Sequence, residues 1–268
     1  EWLQGYQNYI SMEYSPYGEH ILTELVDKGF IKVFDRLRDV RSYLNGDPVP
    51  NKLALITTVK EGVVKNRLIL DCRVSGSNDR TTKSERIILP RIWDLIKDAL
   101  ALATQLKDGE DLSLLVCDFT DAFYMVPLGI DEQRFFSAYH RGRWYVWTRV
   151  AQGSLNGPNV FGRLSALVGR LSQSCFAPHE LRLHIYADDP CAVMRGTAEQ
   201  RDRMTAILLW VWLVLGFGLA LHKGQRGKSV SWIGYTITLH DDRVVASTKE
   251  GFLKYFTEFT AQLRKTNL

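Results

Sequence analysis

The sequence predicts an α+β fold, a split β-α-β arrangement whose antiparallel sheet carries helices on one face. Three observations point there. Of the 268 residues, 46% are hydrophobic and 24% are charged, which is ordinary globular composition with ample material for a core. The central part of the chain reads as strand, helix, hairpin, helix, strand. Two of the apolar, strand-like runs lead straight into acids, 114–123 with Asp118 and Asp121, and 184–189 with Asp188 and Asp189.

Each element has its own signal. Ser15-Pro16 is a cap with a first-turn proline, and Ile21, Leu22, Leu25 and Val26 follow as an apolar stripe. Ile31, Phe34, Leu37, Val40 and Leu44 continue at helical spacing, so 15–45 is expected to be helical with a break at Gly29. Strands Leu53–Val59 and Arg67–Cys72 flank Lys60-Glu61-Gly62 as a hairpin with a basic tip. A helix is expected over Ile92–Leu106 and a strand over 112–118. Phe135–Tyr139 and Trp144–Trp147 form a second hairpin, and a glycine-rich turn over 152–158 opens a helix running to Ser174. Strands Arg182–Tyr186 and Cys191–Met194 meet at Ala187-Asp188-Asp189-Pro190, which puts the aspartate pair at a hairpin tip. Thr197 and Gln200 make a capping box for a helix ending near Leu215. Ser229–Leu239 pairs with Arg243–Ser247, and a last helix is expected over 249–264.

Charge and cysteine usage narrow the function classes. The net charge of +4 is a weak argument for nucleic acid by itself, but 60–91 concentrates Lys60, Lys65, Arg67, Arg73, Arg80, Lys83, Arg86 and Arg91 against four acids. Such a surface suits phosphates, and a solvated mixed-charge loop is the plain alternative. The four cysteines are far apart, which indicates neither a zinc site nor a disulfide framework and fits a reducing compartment. The apolar run 206–221 is shorter than the roughly 20 residues of a span and carries Gly216 and Gly218, so no membrane is expected. The chain does not begin with Met and reads as a piece of a longer polypeptide.

An ionised carboxylate in a dry site is costly unless something neutralises it. A pair of divalent cations would do so, and two cations clamping the attacking and leaving oxygens serve phosphoryl transfer. Asp118 and Asp188 are the candidates to hold both ions, with Asp189 beside them. Oxygen-only ligands favour a hard cation, magnesium, with manganese as the substitute.

The motifs carry a family resemblance. Asp118-Phe-Thr-Asp-Ala-Phe123 with Val126-Pro127-Leu128, Gln152 to Pro158 with Phe161, Tyr186-Ala-Asp-Asp189, Gly216 to Lys223, and Ser231-Trp-Ile-Gly-Tyr235 occur in this order. So does the upstream run Lys65 to Arg73. Together they resemble the fingers-and-palm part of a reverse transcriptase, an RNA-directed DNA polymerase of retrovirus or retrotransposon type, over roughly 50–240.

The resemblance implies a right-hand polymerase palm plus a fingers subdomain with a truncated thumb. Fingers would be 1–91 and 126–156, palm 92–125 and 157–239, and 240–268 an incomplete thumb. It implies two magnesium ions held by Asp118, the Phe119 carbonyl, Asp188 and Asp189, and Lys223 protonating pyrophosphate, with Arg226 and Lys228 nearby as competitors for that role. Lys60 and Arg67 would bind the triphosphate, as would the backbone amides of Asp121 and Ala122. Phe123 would select deoxynucleotides by colliding with a 2′-hydroxyl, and Gln152 and Gly153 would contact the incoming nucleotide and the templating pair. The proline that usually precedes this glutamine is Ala151 here. Trp232, Gly234 and Tyr235 would position the primer end, a buried Trp-Tyr hairpin being the plain alternative.

The implied partners are an RNA or DNA template with a DNA primer, deoxynucleoside triphosphates, and the remaining domains of a Pol-type polyprotein. The implied location is intracellular, in cytoplasmic particles or the nucleus. No ribonuclease H, integrase or protease signature is present. Two other readings remain open: a related palm polymerase that makes RNA, and an inactive or domesticated domain that binds nucleic acid without chemistry.

Overall fold

The computed structural model describes all residues except 1, 2, 4, 61, 83, 84, 249, 250, 253, 255, 259 and 261–268, and it leaves out the side chains of Lys60 and Val63. In chain order, a short α1 (Ile10–Glu13) precedes α2 (Pro16–Asp27), β1 (Ile31–Phe34) and α3 (Leu37–Leu44). The hairpin β2 (Lys52–Lys60) and β3 (Val63–Asp71) follows, then α4 (Ile92–Ala103) and β4 (Asp111–Val116). A 3-10 turn (Ala122–Met125), α5 (Ile130–Gln133), β5 (Ser137–His140) and β6 (Arg143–Trp147) lead to α6 (Gly157–Gln173). The chain continues through β7 (Leu181–Tyr186), β8 (Asp189–Gly196), α7 (Ala198–Val214), a 3-10 turn (Leu221–Lys223), β9 (Gln225–Gly227), β10 (Ser229–Trp232), β11 (Tyr235–Leu239) and β12 (Val244–Thr248).

The chain divides into two compact units, 1–87 with 121–164, and 88–120 with 165–268. The expected thumb start and the helix over 249–264 lie largely outside the described residues.

In the first unit β1, β6 and β5 form one antiparallel sheet and β2 with β3 another. Here one expectation is corrected. Residues 31–34 are a strand, paired Ile31 to Trp147 and Phe34 to Trp144, because a short apolar run takes whichever periodicity its tertiary neighbours reward. The sheet packs on α3 through Val40, Leu44, Trp144 and Val146. Buried Asn51 stitches β2 to β5, donating to the carbonyls of Phe135 (2.8 Å) and Ser137 (3.0 Å) and accepting from Ser75 Oγ (2.6 Å). Buried polar groups need such partners.

In the second unit β7, β8, β4 and β9 form an antiparallel sheet in that order. Alternate residues of β4 and β8, including Leu112, Leu114, Val116, Cys191 and Val193, share a core with Leu95, Ala99 and Leu102 of α4 and with Val230, Trp232 and Ile237 of the β10–β12 sheet. α7 meets the other face, where Thr205 Oγ1 reaches Met194 Sδ at 3.5 Å. The strand expected over Ser229–Leu239 is itself a hairpin, turning at Ile233 and Gly234, both at positive φ (41° and 88°), the signature of a two-residue primed turn. The Thr197–Gln200 capping box is present. All four cysteines are free, and among the described residues no helix is long and apolar enough to cross a membrane. The fold class is α+β.

Candidate active site

Asp118 stands just past the end of β4, two residues beyond Val116. The pairing with β8 continues there: Cys117 N–H donates to the Pro190 carbonyl (3.1 Å) and Phe119 N–H to the Asp188 carbonyl (2.9 Å). On the other side Ala220 N–H donates to the Asp118 carbonyl and Thr120 N–H to the Gly218 carbonyl, each at 2.9 Å. The Phe119 ring is a buried peg between Trp212 (5.4 Å, 85°) and Phe217 (4.8 Å, 52°). The Trp212 indole N–H is itself fixed on Ser172 Oγ at 3.0 Å. The main chain that carries Asp118 is thus held on both edges and from beneath, while the Phe119 carbonyl takes no backbone hydrogen bond among the described residues.

Asp188 and Asp189 sit where β7 turns into β8. Tyr186 pairs with Asp189, so Ala187 and Asp188 are the two loop residues, Ala187 at φ 54°. Ser165 Oγ donates to the Ala187 carbonyl (2.7 Å) and the Trp232 indole N–H to the Asp189 carbonyl (2.9 Å). Burial first, then the negative charges of Asp188 and Asp118, push the Asp189 carboxyl up to about 6, against the pull of Lys223. Asp189 therefore lies within electrostatic reach of Asp188, Asp118 and Lys223.

Lys223, on the second 3-10 turn, donates to Asp118 Oδ2. This separates it from its competitors: Lys228 pairs with Asp111 at the far end of β4, and Arg226 with Asp202. Among the described residues no three His, Cys, Asp or Glu side chains are gathered closely enough to hold a metal ion as they stand. The donor chemistry nevertheless fits a hard divalent cation. It offers carboxylate oxygens and a carbonyl that accepts no backbone hydrogen bond among the described residues, with an ammonium already drawn to Asp118.

Trp232 is 2% exposed, a core side chain that props Asp189 rather than an exposed grip. Gly234 lies exposed in the turn, and Tyr235 is half-buried against the same core.

The remaining predicted residues belong to the first unit. Arg67 faces Ile56 across the β2–β3 hairpin and is exposed, with no ion-pair partner among the described residues. The side chain of Lys60, the last residue of β2, lies outside the described residues. The loop after Ala151 is sewn to the end of β3: Leu70 N–H donates to the Gln152 carbonyl (2.8 Å) and Asn78 Nδ2 to the Gly153 carbonyl (3.1 Å). Gly153 has φ 113°, and a Cβ there would meet the Leu70 carbonyl oxygen at 2.1 Å, so only glycine fits. Asp121 is left-handed (φ 54°, ψ 31°) and leads into the turn that carries Ala122 and Phe123. The Phe123 ring meets buried Phe161 edge-on at 5.8 Å. A cavity of about 480 Å³ floored by Leu128, Phe135, Phe136 and Val160 lies beside this loop and touches Ser154 and Asn156.

Sequence reasoning missed Lys28. Its ammonium donates to both Asp121 oxygens (3.3 and 3.1 Å) and pairs with Glu24 (2.9 Å). No local signal joins residues 93 positions apart.

Residues 63–237, well over half of the chain, match the model of the family described as reverse transcriptase (RNA-dependent DNA polymerase). Three solved structures of foamy viral protease–reverse transcriptase share the fold. A dRH form in complex with double-stranded DNA has a TM-score of 0.67 at 16% identity, covering 94% of this chain and 38% of that one. Another double-stranded DNA complex gives 0.62 at 18%, covering 90% and 43%, and an RNA/DNA hybrid complex gives 0.58 at 18%, covering 87% and 27%. The chain thus spans less than half the length of these structures. No curated protein sequence matches it. The chain belongs to the reverse transcriptase family.

Proposed function

We propose that this chain is the fingers–palm part of an RNA-directed DNA polymerase of a retroelement, extending a DNA primer on an RNA or DNA template with deoxynucleoside triphosphates. The observation that supports the reading is the hydrogen bond from Phe119 N–H to the Asp188 carbonyl (2.9 Å), which sets Asp118 next to the β7–β8 turn, with the Asp189 carboxyl raised by burial and then by the charges of Asp188 and Asp118. We read the unit built on β4, β7 and β8 as palm and the unit with the β2–β3 hairpin as fingers. The parent would be a Pol-type polyprotein working inside the cell, in cytoplasmic particles or the nucleus.

In this reading Asp118, Asp188 and the Phe119 carbonyl would hold two magnesium ions, with Asp189 adjacent and manganese as the substitute. When bound, such ions lower the pKa of a primer 3′-hydroxyl and neutralise the departing pyrophosphate. The chain's own residues supply the rest. Arg67, with a guanidinium fork suited to phosphate oxygens, and Lys60 clamp the triphosphate. The amides of Asp121 and Ala122 cradle it as well. Phe123, propped on Phe161, stands under the sugar and excludes a 2′-hydroxyl. Gln152 and Gly153 line the nascent pair on a loop locked to β3. Lys223 leaves Asp118 to give its proton to pyrophosphate. Gly234 and Tyr235 set the primer end, with Trp232 acting through Asp189.

The test is primer extension on an RNA template with magnesium. Deoxynucleotide incorporation that stops on chelation supports the reading. Ribonucleotide incorporation in its place favours an RNA-making palm polymerase. Salt-sensitive template binding with no turnover favours a nucleic-acid-binding domain without chemistry.

A further inference from the structure

Lys28 is the C-cap residue of α2, and its place in the fold is specific. Its ammonium bonds both carboxylate oxygens of Asp121 while Glu24, one turn back, holds it from the other side. Two residues on, the Phe30 ring stacks flat on the Tyr124 ring, with centroids 5.0 Å apart and planes 5° from parallel. Tyr124 belongs to the same 3-10 turn as Phe123 and is buried. The segment 28–30 therefore grips that turn twice, at Asp121 before Phe123 and at Tyr124 after it.

The segment is itself rigid. Thr148 Oγ1 donates to the carbonyls of Gly29 (3.1 Å) and Phe30 (3.0 Å), and Thr148 N–H donates to Phe30 (2.9 Å). The exit from the turn is tied to the same strand end, since Leu128 N–H donates to the Thr148 carbonyl (2.9 Å) and Val150 N–H to the Val126 carbonyl (3.0 Å). At the entrance, among the described residues, the Asp121 and Ala122 N–H groups make no such bond to that strand end. Asp121 is left-handed and its side chain does not cap the turn but goes to Lys28. A non-glycine residue in that region persists only where its surroundings hold it.

We propose that Lys28 is a positioning residue for nucleotide selection, fixing Asp121 and, together with the Phe30–Tyr124 stack, setting where the Phe123 ring stands. The inference rests on the polymerase reading above, because it is Phe123 that meets the sugar there. Lys28 touches no substrate. It acts through the turn, and it also draws the Asp121 carboxylate away from the amides that would face a triphosphate.

A pair this exposed, with 38% and 32% of the two side chains open to solvent, is worth at most about a fivefold factor. In Lys28→Gln the relative use of ribonucleotides over deoxynucleotides, as the ratio of kcat/KM, should rise about two- to fivefold, with deoxynucleotide kcat changed less than about twofold. Lys28→Arg should restore the ratio, and Asp121→Asn should add nothing to Lys28→Gln. Equal loss with both nucleotide types, or an unchanged ratio, overturns the proposal while leaving the polymerase reading intact. A second readout does not need turnover: a 4-fluorophenylalanine label at Phe123 should shift its 19F resonance in Lys28→Gln and return in Lys28→Arg. An unmoved resonance overturns the proposal even if the chain extends no primer.

Discussion

Around Asp118 the main chain is held by β8 on one edge, by the 218–220 segment on the other, and from beneath by the Phe119 ring. On the β2–β3 hairpin, Arg67 is exposed and has no ion-pair partner among the described residues. In the proposed reading the first region holds cations and the second meets the triphosphate, and one is braced while the other is open to solvent. Acids that must share cations need fixed separations, since small errors in ligand position cost affinity and rate. A guanidinium that meets a flexible polyphosphate gains from reach, and its fork supplies the geometry on contact.

The comparison can be broken by substitution. Asp188→Asn should reduce incorporation roughly a thousandfold or more while leaving the melting temperature near that of the parent. A loss of under tenfold would mean the braced acids do not carry the chemistry. Arg67→Ala should cost less, about tenfold and mostly in KM for the nucleotide, because it removes a binding contact rather than the reacting centre. A drop confined to kcat would place Arg67 among the braced groups instead.

The base of the same hairpin behaves differently from Arg67. Asp71, at the end of β3, is buried and bonded to Arg73 (both 3.0 Å) and to the Tyr9 hydroxyl (2.7 Å). The Arg73 guanidinium above all, against the effect of burial, and then the Tyr9 hydroxyl hold its carboxyl down from 3.8 to about 2. A carboxyl depressed in the folded state stabilises above its unfolded value, and that stabilisation is lost as pH falls through the folded one. Stability should therefore decline by roughly 1 kcal/mol between about pH 4 and pH 2 through this group, after screening around exposed Arg73. Melts of Asp71→Asn should show a flatter acid limb, and identical limbs would contradict the assignment.

The braced region was the more legible in the sequence. An apolar run that ends in bare acid is visible in a window of ten residues, so Asp118, Asp188 and Asp189 are legible in the sequence as candidate ligands. The Thr197 cap is legible as well, since a capping box leaves a local mark. What escaped depends on partners distant in the chain. Residues 31–34 share helical spacing with 37–44 and become a strand only because 144–147 lie beside them. In the sequence Trp232 reads as a primer-end residue or as part of a buried Trp-Tyr hairpin, and its hydrogen bond to Asp189 comes from a partner distant in the chain. Lys28 is one of 34 cations, and nothing in its neighbourhood marks it until Asp121 arrives from elsewhere in the sequence.

The account turns on whether the acids around β4 and the β7–β8 turn gather a divalent cation. Anomalous diffraction from crystals soaked in manganese measures this directly. The account predicts a peak within about 2.2 Å of carboxylate oxygens from both Asp118 and Asp188, with Lys223 displaced from Asp118. Manganese bound elsewhere at saturation, with Lys223 still on Asp118, would contradict it.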